Sequence, residues 1–121
     1  MREDRRANPR KRLRRSEVPG EFYLLVGGER LRLDDAYDVS VSGMGIGLGR
    51  CIPVGEAVRV GYRDGEFAIE LDAEIAWCEE GTENGVHRLG LRFSPDPLQA
   101  NDNALFFMTL REYLDDFGDL P

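Results

Sequence analysis

The sequence predicts an all-β domain, a six-stranded antiparallel β-barrel, with one α-helix at its C-terminal end and a flexible arginine-rich arm at its N-terminal end. Across most of residues 21–93, apolar side chains alternate with polar ones, as they do in strands with one buried face. Turn residues such as Gly27-Gly28 and Asp64-Gly65 separate these runs and favour short hairpins. The alternation ends at residues 94–97, and apolar residues then recur at helical spacing.

The N-terminal segment differs sharply in charge from the rest of the chain. Residues 1–20 contain almost no apolar side chains, which predicts a flexible basic arm before a folded body of residues 21–121. Residues 1–15 carry eight basic and two acidic side chains, whereas residues 16–121 carry eight basic and twenty-one acidic ones. An acidic body does not suit duplex binding, which depends on neutralising many phosphates. The arginines of the arm suit one small anion, although a disordered tail without a ligand would have the same composition.

The body contains about six runs of strand pattern joined by short connections. Such strands pair antiparallel, and closure into a small barrel removes exposed edges. The runs cover residues 21–26, 31–33, 38–49, 58–63, 67–77 and 86–93.

The glycine-rich run of residues 38–49 is the most informative stretch. Its apolar residues occupy odd positions up to Val41 and even positions from Met44, so the chain must turn or bulge at Ser42-Gly43. Asp38 therefore lies on a polar face, and its carboxylate can accept two hydrogen bonds from a planar donor edge such as that of guanine. A solvated turn with local side-chain bonds would use the same residue types.

A helix is expected after the strands. Asn101 or Asp102 can cap it, and an apolar stripe from Phe106 onward predicts that it runs to about residue 117, giving a helix over residues 101–117. Its apolar character favours packing on the barrel over contact with a second protein chain.

The sequence lacks the residues that several other classes of function require. Cys51 and Cys78 have no metal-binding spacing and, with His87, make no credible zinc set, so we expect reduced thiols in a cytoplasmic protein. No apolar run approaches the roughly 20 residues of a membrane helix, so no membrane insertion is expected. No catalytic triad or phosphate-binding loop is present. We therefore expect a protein that is not an enzyme and holds neither metal nor cofactor.

Two motifs in order carry a resemblance to a known family. Residues 5–10 read RRxxxR, and residues 38–43 read DxSxxG. Residues 74–77 resemble a strand that ends in tryptophan, and residues 87–93 resemble a GxxF-type last strand. This pattern resembles the PilZ domain family over nearly the whole chain, which implies a split-barrel fold.

The resemblance implies binding of cyclic di-GMP, a bacterial second messenger with two guanines and two phosphates. Arg5, Arg6 and Arg10 would contact phosphates and guanine O6/N7 edges. Asp38 would contact a guanine N1/N2 edge, and Ser40 a phosphate or base. Gly43 would admit the ligand to the backbone, and Trp77 would either pack on the ligand or lie in the core. The doubled arginine further implies an intercalated pair of ligands. The implied ligand residues are Arg5, Arg6, Arg10, Asp38, Ser40, Gly43 and Trp77.

The expected function is thus a non-catalytic cytoplasmic receptor and adaptor that signals to a downstream protein partner by ordering of its arm. Two alternatives remain at this point. One is a PilZ-like adaptor that works through protein contacts without nucleotide. The other is a barrel that binds single-stranded nucleic acid, although the arm has no aromatic residue on which bases would stack, so no nucleic acid is expected as partner.

Overall fold

The computed structural model describes residues 10–81 and 84–115 and forms one antiparallel sheet. The order of strands across the sheet is β3-β2-β6-β7-β8-β5-β4-β1-β9. Their bounds are β1 Lys11–Leu13, β2 Glu21–Val26, β3 Glu29–Arg32, β4 Asp35–Ser40, β5 Gly43–Leu48, β6 Ala57–Asp64, β7 Phe67–Glu79, β8 His87–Phe93 and β9 Leu114–Asp115. The expected class, mostly β with one helix near the C-terminal end, is confirmed.

The strand count is higher than the six that were expected. The glycine-rich run divides into β4 and β5, with Ser42 and Gly43 at the junction, as the change of parity predicts. The other two additional strands, β1 and β9, have three and two residues. Alternation over so few residues carries no detectable period, and only pairing with neighbouring strands defines them.

The core lies between the curled sheet and the α-helix α1 (Ala100–Leu110). Phe106 and Leu110 of this helix are fully buried. The Phe106 ring lies 5.6 Å from that of Phe93 and 6.4 Å from that of Phe22, so α1 joins β8 to β2 across the core. The helix therefore packs on the sheet, as its apolar stripe indicates. In the described part of the chain, no helix combines the length and apolar character needed to cross a bilayer.

The C-terminal bound expected for the helix is wrong. The chain leaves α1 after Leu110, passes through a 3-10 turn at Arg111–Tyr113 and becomes β9. Pairing with β1 is favoured here over a continued helix, because it buries Leu114. In addition, Arg14 donates hydrogen bonds to backbone carbonyls of this segment. The expected end of the helix at residues 117–118 lies outside the described residues.

The boundary between arm and body also differs from the expectation. Residues 10–20 are built into the fold, since β1 pairs with both β4 and β9. Leu13 and Val18 are buried, and the Gly20 N–H donates to the Tyr62 hydroxyl at 3.1 Å. Two apolar residues among many charges thus anchor a segment whose composition alone predicts an arm. Arg5 and Arg6 lie outside the described residues.

The two cysteines form a disulfide, which corrects the expectation of reduced thiols. Cys51 follows β5 and Cys78 lies near the end of β7, with Cα atoms 6.1 Å apart. They are 27 residues apart in sequence, so no spacing motif indicates the pairing. The bridge depends on β5 and β7 both pairing with β8, which brings their ends together.

Candidate functional site

A β-bulge in β7 decides the orientation of Trp77. Simple alternation after Ile75 would place Trp77 in the core, but the register against β8 shifts between these two residues. Trp77 is therefore turned to the outer face and is 43% exposed. Its ring lies against Gly90, where a Cβ atom would collide with the indole. Of the two orientations that the sequence allows, the structure has the solvent-facing one.

One row of cross-strand partners forms the floor of the site. It runs across the outer face from β7 through β8 and β5 to β4, and consists of Trp77, Gly90, Gly45 and Asp38. Two central members are glycines, so the sheet backbone is accessible between the indole and the carboxylate. Sequence alone indicates glycines that bend a strand, and the structure shows that they also leave space above it.

Asp38 is held in place from two sides. Its Oδ1 accepts a hydrogen bond from the Gly45 N–H at 3.0 Å and another from Arg10 Nη1 at 2.8 Å. The side chains of Arg10 and Asp38 are 32% and 33% exposed, so solvent screens the pair and its contribution to stability is about 1 kcal/mol or less. Both bonds use Oδ1. Within the described residues, Oδ2 therefore remains able to accept from another donor.

These groups surround a cavity of about 480 Å³, which we call the Trp77 cavity. An indole face, guanidinium groups and a carboxylate acceptor together suit a flat, anionic ligand that also has a donor edge. Arg92 is paired with Glu74 at 3.0 Å on the outer face. The lining residues are Arg10, Asp38, Ser42, Gly45, Ala76, Trp77, Arg88, Leu91 and Arg92.

Ser40, which was expected to contact the ligand, does not line this cavity. Ser40 is 1% exposed, and its hydroxyl accepts from the Ser42 N–H and lies 3.1 Å from the Ser42 hydroxyl. It thus stabilises the turn between β4 and β5, while Ser42 lines the cavity. Gly43 is buried, and a Cβ atom there would collide with the Leu91 carbonyl, so pairing of β5 with β8 requires this glycine.

Arg88 and Arg92 are lining residues that the sequence reasoning missed. The available signal is their alternation with the inward-facing Leu89, Leu91 and Phe93, which places both arginines on the outer face. His87 has another role, because its Nδ1 accepts from the Gly81 N–H at 3.0 Å and holds the connection between β7 and β8. Residues 10–81 and 84–115 contain no group of three or more side chains suited to a metal ion.

A family model for the PilZ domain matches residues 4–111. The chain belongs to the PilZ domain family. The PilZ match includes the Arg10, Asp38 and Trp77 positions, and it confirms the resemblance that the two motifs indicate. A comparison with curated protein sequences finds no significant match.

Three solved structures share the PilZ fold of this chain. The inhibitor of motility MotI/DgrA of Bacillus subtilis has 20% identity and a TM-score of 0.62, and the match covers 93% of this chain and 53% of that protein. YcgR of Escherichia coli, solved with c-di-GMP, has 22% identity and a TM-score of 0.59, with 89% and 46% covered. MrkH of K. pneumoniae, also solved as a c-di-GMP complex, has 17% identity and a TM-score of 0.60, with 91% and 55% covered. The chain thus spans about half the length of these structures.

Proposed function

We propose that this chain is a receptor for cyclic di-GMP and that the Trp77 cavity holds the nucleotide. The observation that carries the proposal is Asp38, fixed through Oδ1 above a glycine floor, with Oδ2 open and Trp77 on the opposite side. Membership of the PilZ family supports it. The c-di-GMP complexes of YcgR and MrkH, which share the fold, support it as well.

Each wall of the cavity has a proposed role in this function. The Asp38 carboxylate accepts from the N1/N2 edge of a guanine, and the exposed indole of Trp77 stacks on a purine face. Arg10 and Arg92 offer planar donors to phosphate oxygens and to guanine O6/N7 edges. Gly43 has a structural role beside the floor, and Ser40 acts through the turn that presents Ser42.

Arg5 and Arg6 are proposed as further ligand contacts from the N-terminal arm, here residues 1–9. The two phosphates of the ligand supply the counter-charge that like-charged arginines lack in the free protein, so nucleotide binding orders the arm. Amide exchange of residues 1–9 with and without cyclic di-GMP tests this step. Equal protection in both states contradicts it.

An intercalated pair of nucleotides is the proposed stoichiometry. One cyclic di-GMP has two guanines and two phosphates, which Arg6, Arg10 and Asp38 largely satisfy, so Arg5 is an additional guanidinium for a second molecule. Stacking of four purines offsets part of the phosphate repulsion, and the arginines screen the rest. Arg5→Ala should lower the count of nucleotides per chain from two toward one.

Signal output is proposed to reach a downstream protein without any catalytic step, in the cytoplasm. A groove of about 800 Å³ lies beside the end of α1 and is lined by Lys11, Phe107, Met108, Arg111, Glu112 and Leu114. Arg10 lines the Trp77 cavity, and the next residue, Lys11 of β1, lines this groove. This adjacency supports a connection between nucleotide binding and the groove through β1. Changes in amide exchange at residues 111–115 upon nucleotide binding would indicate that β1 transmits the signal.

Calorimetric titration with cyclic di-GMP, GTP and a short single-stranded oligonucleotide tests the main proposal. Tight binding of cyclic di-GMP with little binding of the other two is the expected result. Absence of binding to all three would favour an adaptor that works through protein contacts alone. Preference for the oligonucleotide would favour a nucleic-acid-binding barrel.

A further inference from the structure

A second cavity adjoins the first on the same face of the sheet. It has a volume of about 540 Å³ and lies over β1, β4 and the start of β8. It shares Arg10, Asp38 and Arg88 with the Trp77 cavity, and it adds Arg12, Arg15 and Tyr37, so we call it the Tyr37 cavity. Neither the sequence motifs nor the proposed roles above assign any function to Tyr37, Arg12 or Arg15.

An aromatic platform forms one side of the Tyr37 cavity. The register of β4 against β5 shifts between Ala36 and Asp38, so Tyr37 is the extra residue of a bulge. Its side chain lies across Gly47 of β5, where an added Cβ atom would be 2.7 Å from the Tyr37 hydroxyl. The guanidinium carbon of Arg88 lies 4.3 Å from the centre of the Tyr37 ring. This arrangement presents a flat cation, already stacked on one side, to a ligand on the other.

The charges around this platform favour an anion. Four arginines line the cavity against two carboxylates, Asp35 and Asp38. Asp38 is already bonded to Arg10 and Gly45, and Asp35 accepts from the Ala36 N–H. Glu79 lies opposite Arg88 in the β7–β8 pairing, but no described carboxylate lies within ion-pair distance of Arg88. Arg10 is paired with Asp38, and Arg12 Nη1 lies 3.9 Å from Asp115 Oδ2. Arg15 and Arg88 have no ion-pair partner among the described residues, so the lining keeps an excess of positive charge on a chain of net charge −7.

A second arginine–tyrosine stack, elsewhere in the sheet, offers a comparison with the Arg88–Tyr37 stack. Arg30 lies 3.9 Å above the ring of Tyr23, and that ring covers Gly61 of β6, as Tyr37 covers Gly47. The Tyr23 hydroxyl, however, donates a hydrogen bond to the Glu70 carboxylate at 2.8 Å, so its hydrogen-bonding capacity is used within the protein. Among the described residues, the Tyr37 hydroxyl has no such partner.

From these observations we infer that the Tyr37 cavity is a second subsite for a guanine and its phosphate. The base stacks on the free face of the Arg88 guanidinium, and Arg12 and Arg15 bind the phosphate. This inference rests on the proposed cyclic di-GMP function. The same chemistry has two sources, which are the second half of one cyclic di-GMP or a guanine of a second molecule.

Titration calorimetry with cyclic di-GMP on four variants tests the subsite. Arg12→Gln removes a cation that is 71% exposed, and Tyr37→Leu removes the platform, and both residues line only the Tyr37 cavity. Tyr37→Phe keeps the ring and should bind like wild type. Arg30→Leu disrupts the comparable stack far from both cavities and is the matched control. Thermal melting of each variant checks that folding is retained.

Two results support the subsite and identify its occupant. A loss of at least about tenfold in affinity for Tyr37→Leu, with an unchanged count of nucleotides, assigns the cavity to the second half of the same molecule. A drop from two nucleotides to one assigns it to a second molecule. Wild-type binding by both Arg12→Gln and Tyr37→Leu, or an equal loss in Arg30→Leu, overturns the inference and leaves the proposed function intact. Absence of any binding to wild-type protein overturns both.

Discussion

The two halves of the sheet use the same residue types in different ways. In the half made by β2, β3 and β6, the strand pairs β2–β3, β2–β6 and β6–β7 run without a shift of register. Arg59 there forms ion pairs with both Glu70 and Asp72. In the half made by β1, β4, β5 and β8, both register shifts of the described sheet occur. Arg88 there lies over the Tyr37 ring and forms no ion pair with a described residue.

This difference shows how a sheet acquires a binding face. A regular strand pair alternates strictly, so outward side chains lie opposite one another and can pair, as Arg59 does with Asp72. A bulge inserts one residue and changes the direction of the next, which here turns Trp77 outward and lays Tyr37 across β5. Glycines then keep the surface between them open. Matched variants in the two halves should show whether the halves differ in function as they do in geometry.

The largest effect is expected from Arg10, with Arg59 in the regular half as its control. Arg10→Ala should weaken cyclic di-GMP binding by about 2–5 kcal/mol, because it removes a charged contact and releases Asp38. Arg59→Ala, the matched change in the regular half, should leave affinity unchanged. Calorimetry measures both, and thermal melting should move little for either, because these pairs are substantially exposed. Equal losses of affinity in the two variants would remove the functional distinction between the halves.

The disulfide should have the next largest effect, on stability. It ties the end of β7, beside Trp77, to the segment after β5. Closing a loop of 27 residues lowers the free energy of the folded state relative to the unfolded chain by about 3–4 kcal/mol. Denaturant unfolding of Cys51→Ser/Cys78→Ser, and of wild type in reductant, should both show this loss.

A control for this prediction is thiol labelling of the native protein without reductant. Labelling of both cysteines, together with unfolding that is insensitive to reductant, would show that the bridge does not form under those conditions.

Two glycine substitutions should separate stability from binding. Gly90→Ala places a methyl group in contact with the Trp77 ring, and Gly61→Ala does the same to the Tyr23 ring. Each should cost about 1–3 kcal/mol of stability, because the ring must move. Only Gly90→Ala should also weaken nucleotide binding. Because Trp77 is the only tryptophan, its fluorescence reports the displaced indole directly, and an unchanged emission spectrum in Gly90→Ala would contradict this account.

The smallest effect concerns Ser40. Because its hydroxyl is buried in the turn and bonded to Ser42, Ser40→Ala should lower stability by about 1 kcal/mol and change nucleotide affinity less than threefold. Chemical unfolding and calorimetry on the same sample separate the two effects. A large loss of affinity with unchanged stability would instead restore Ser40 as a direct ligand contact.

Local chemistry made a substantial part of this molecule predictable. The change of parity across Ser42-Gly43 predicts the junction of β4 and β5, and Gly27-Gly28 predicts the first hairpin. The hairpin at residues 64–67 was displaced by one residue, since Asp64 pairs with Phe67 and Gly65-Glu66 forms the turn. The DxSxxG motif predicts Asp38 as a site residue, and Asp38 lines the Trp77 cavity.

Sequence alone is sufficient for the class of fold, the polar face that carries Asp38 and the family of the chain, because these depend on residue types at fixed spacing along one segment. Tertiary structure decided the outward orientation of Trp77, the burial of Ser40, the disulfide and the adjoining cavity over Tyr37. Each of these depends on the register between strands that are distant in sequence. One inserted residue in a ladder reverses the facing of the next side chain, and no periodicity along a single strand reveals where that insertion occurs.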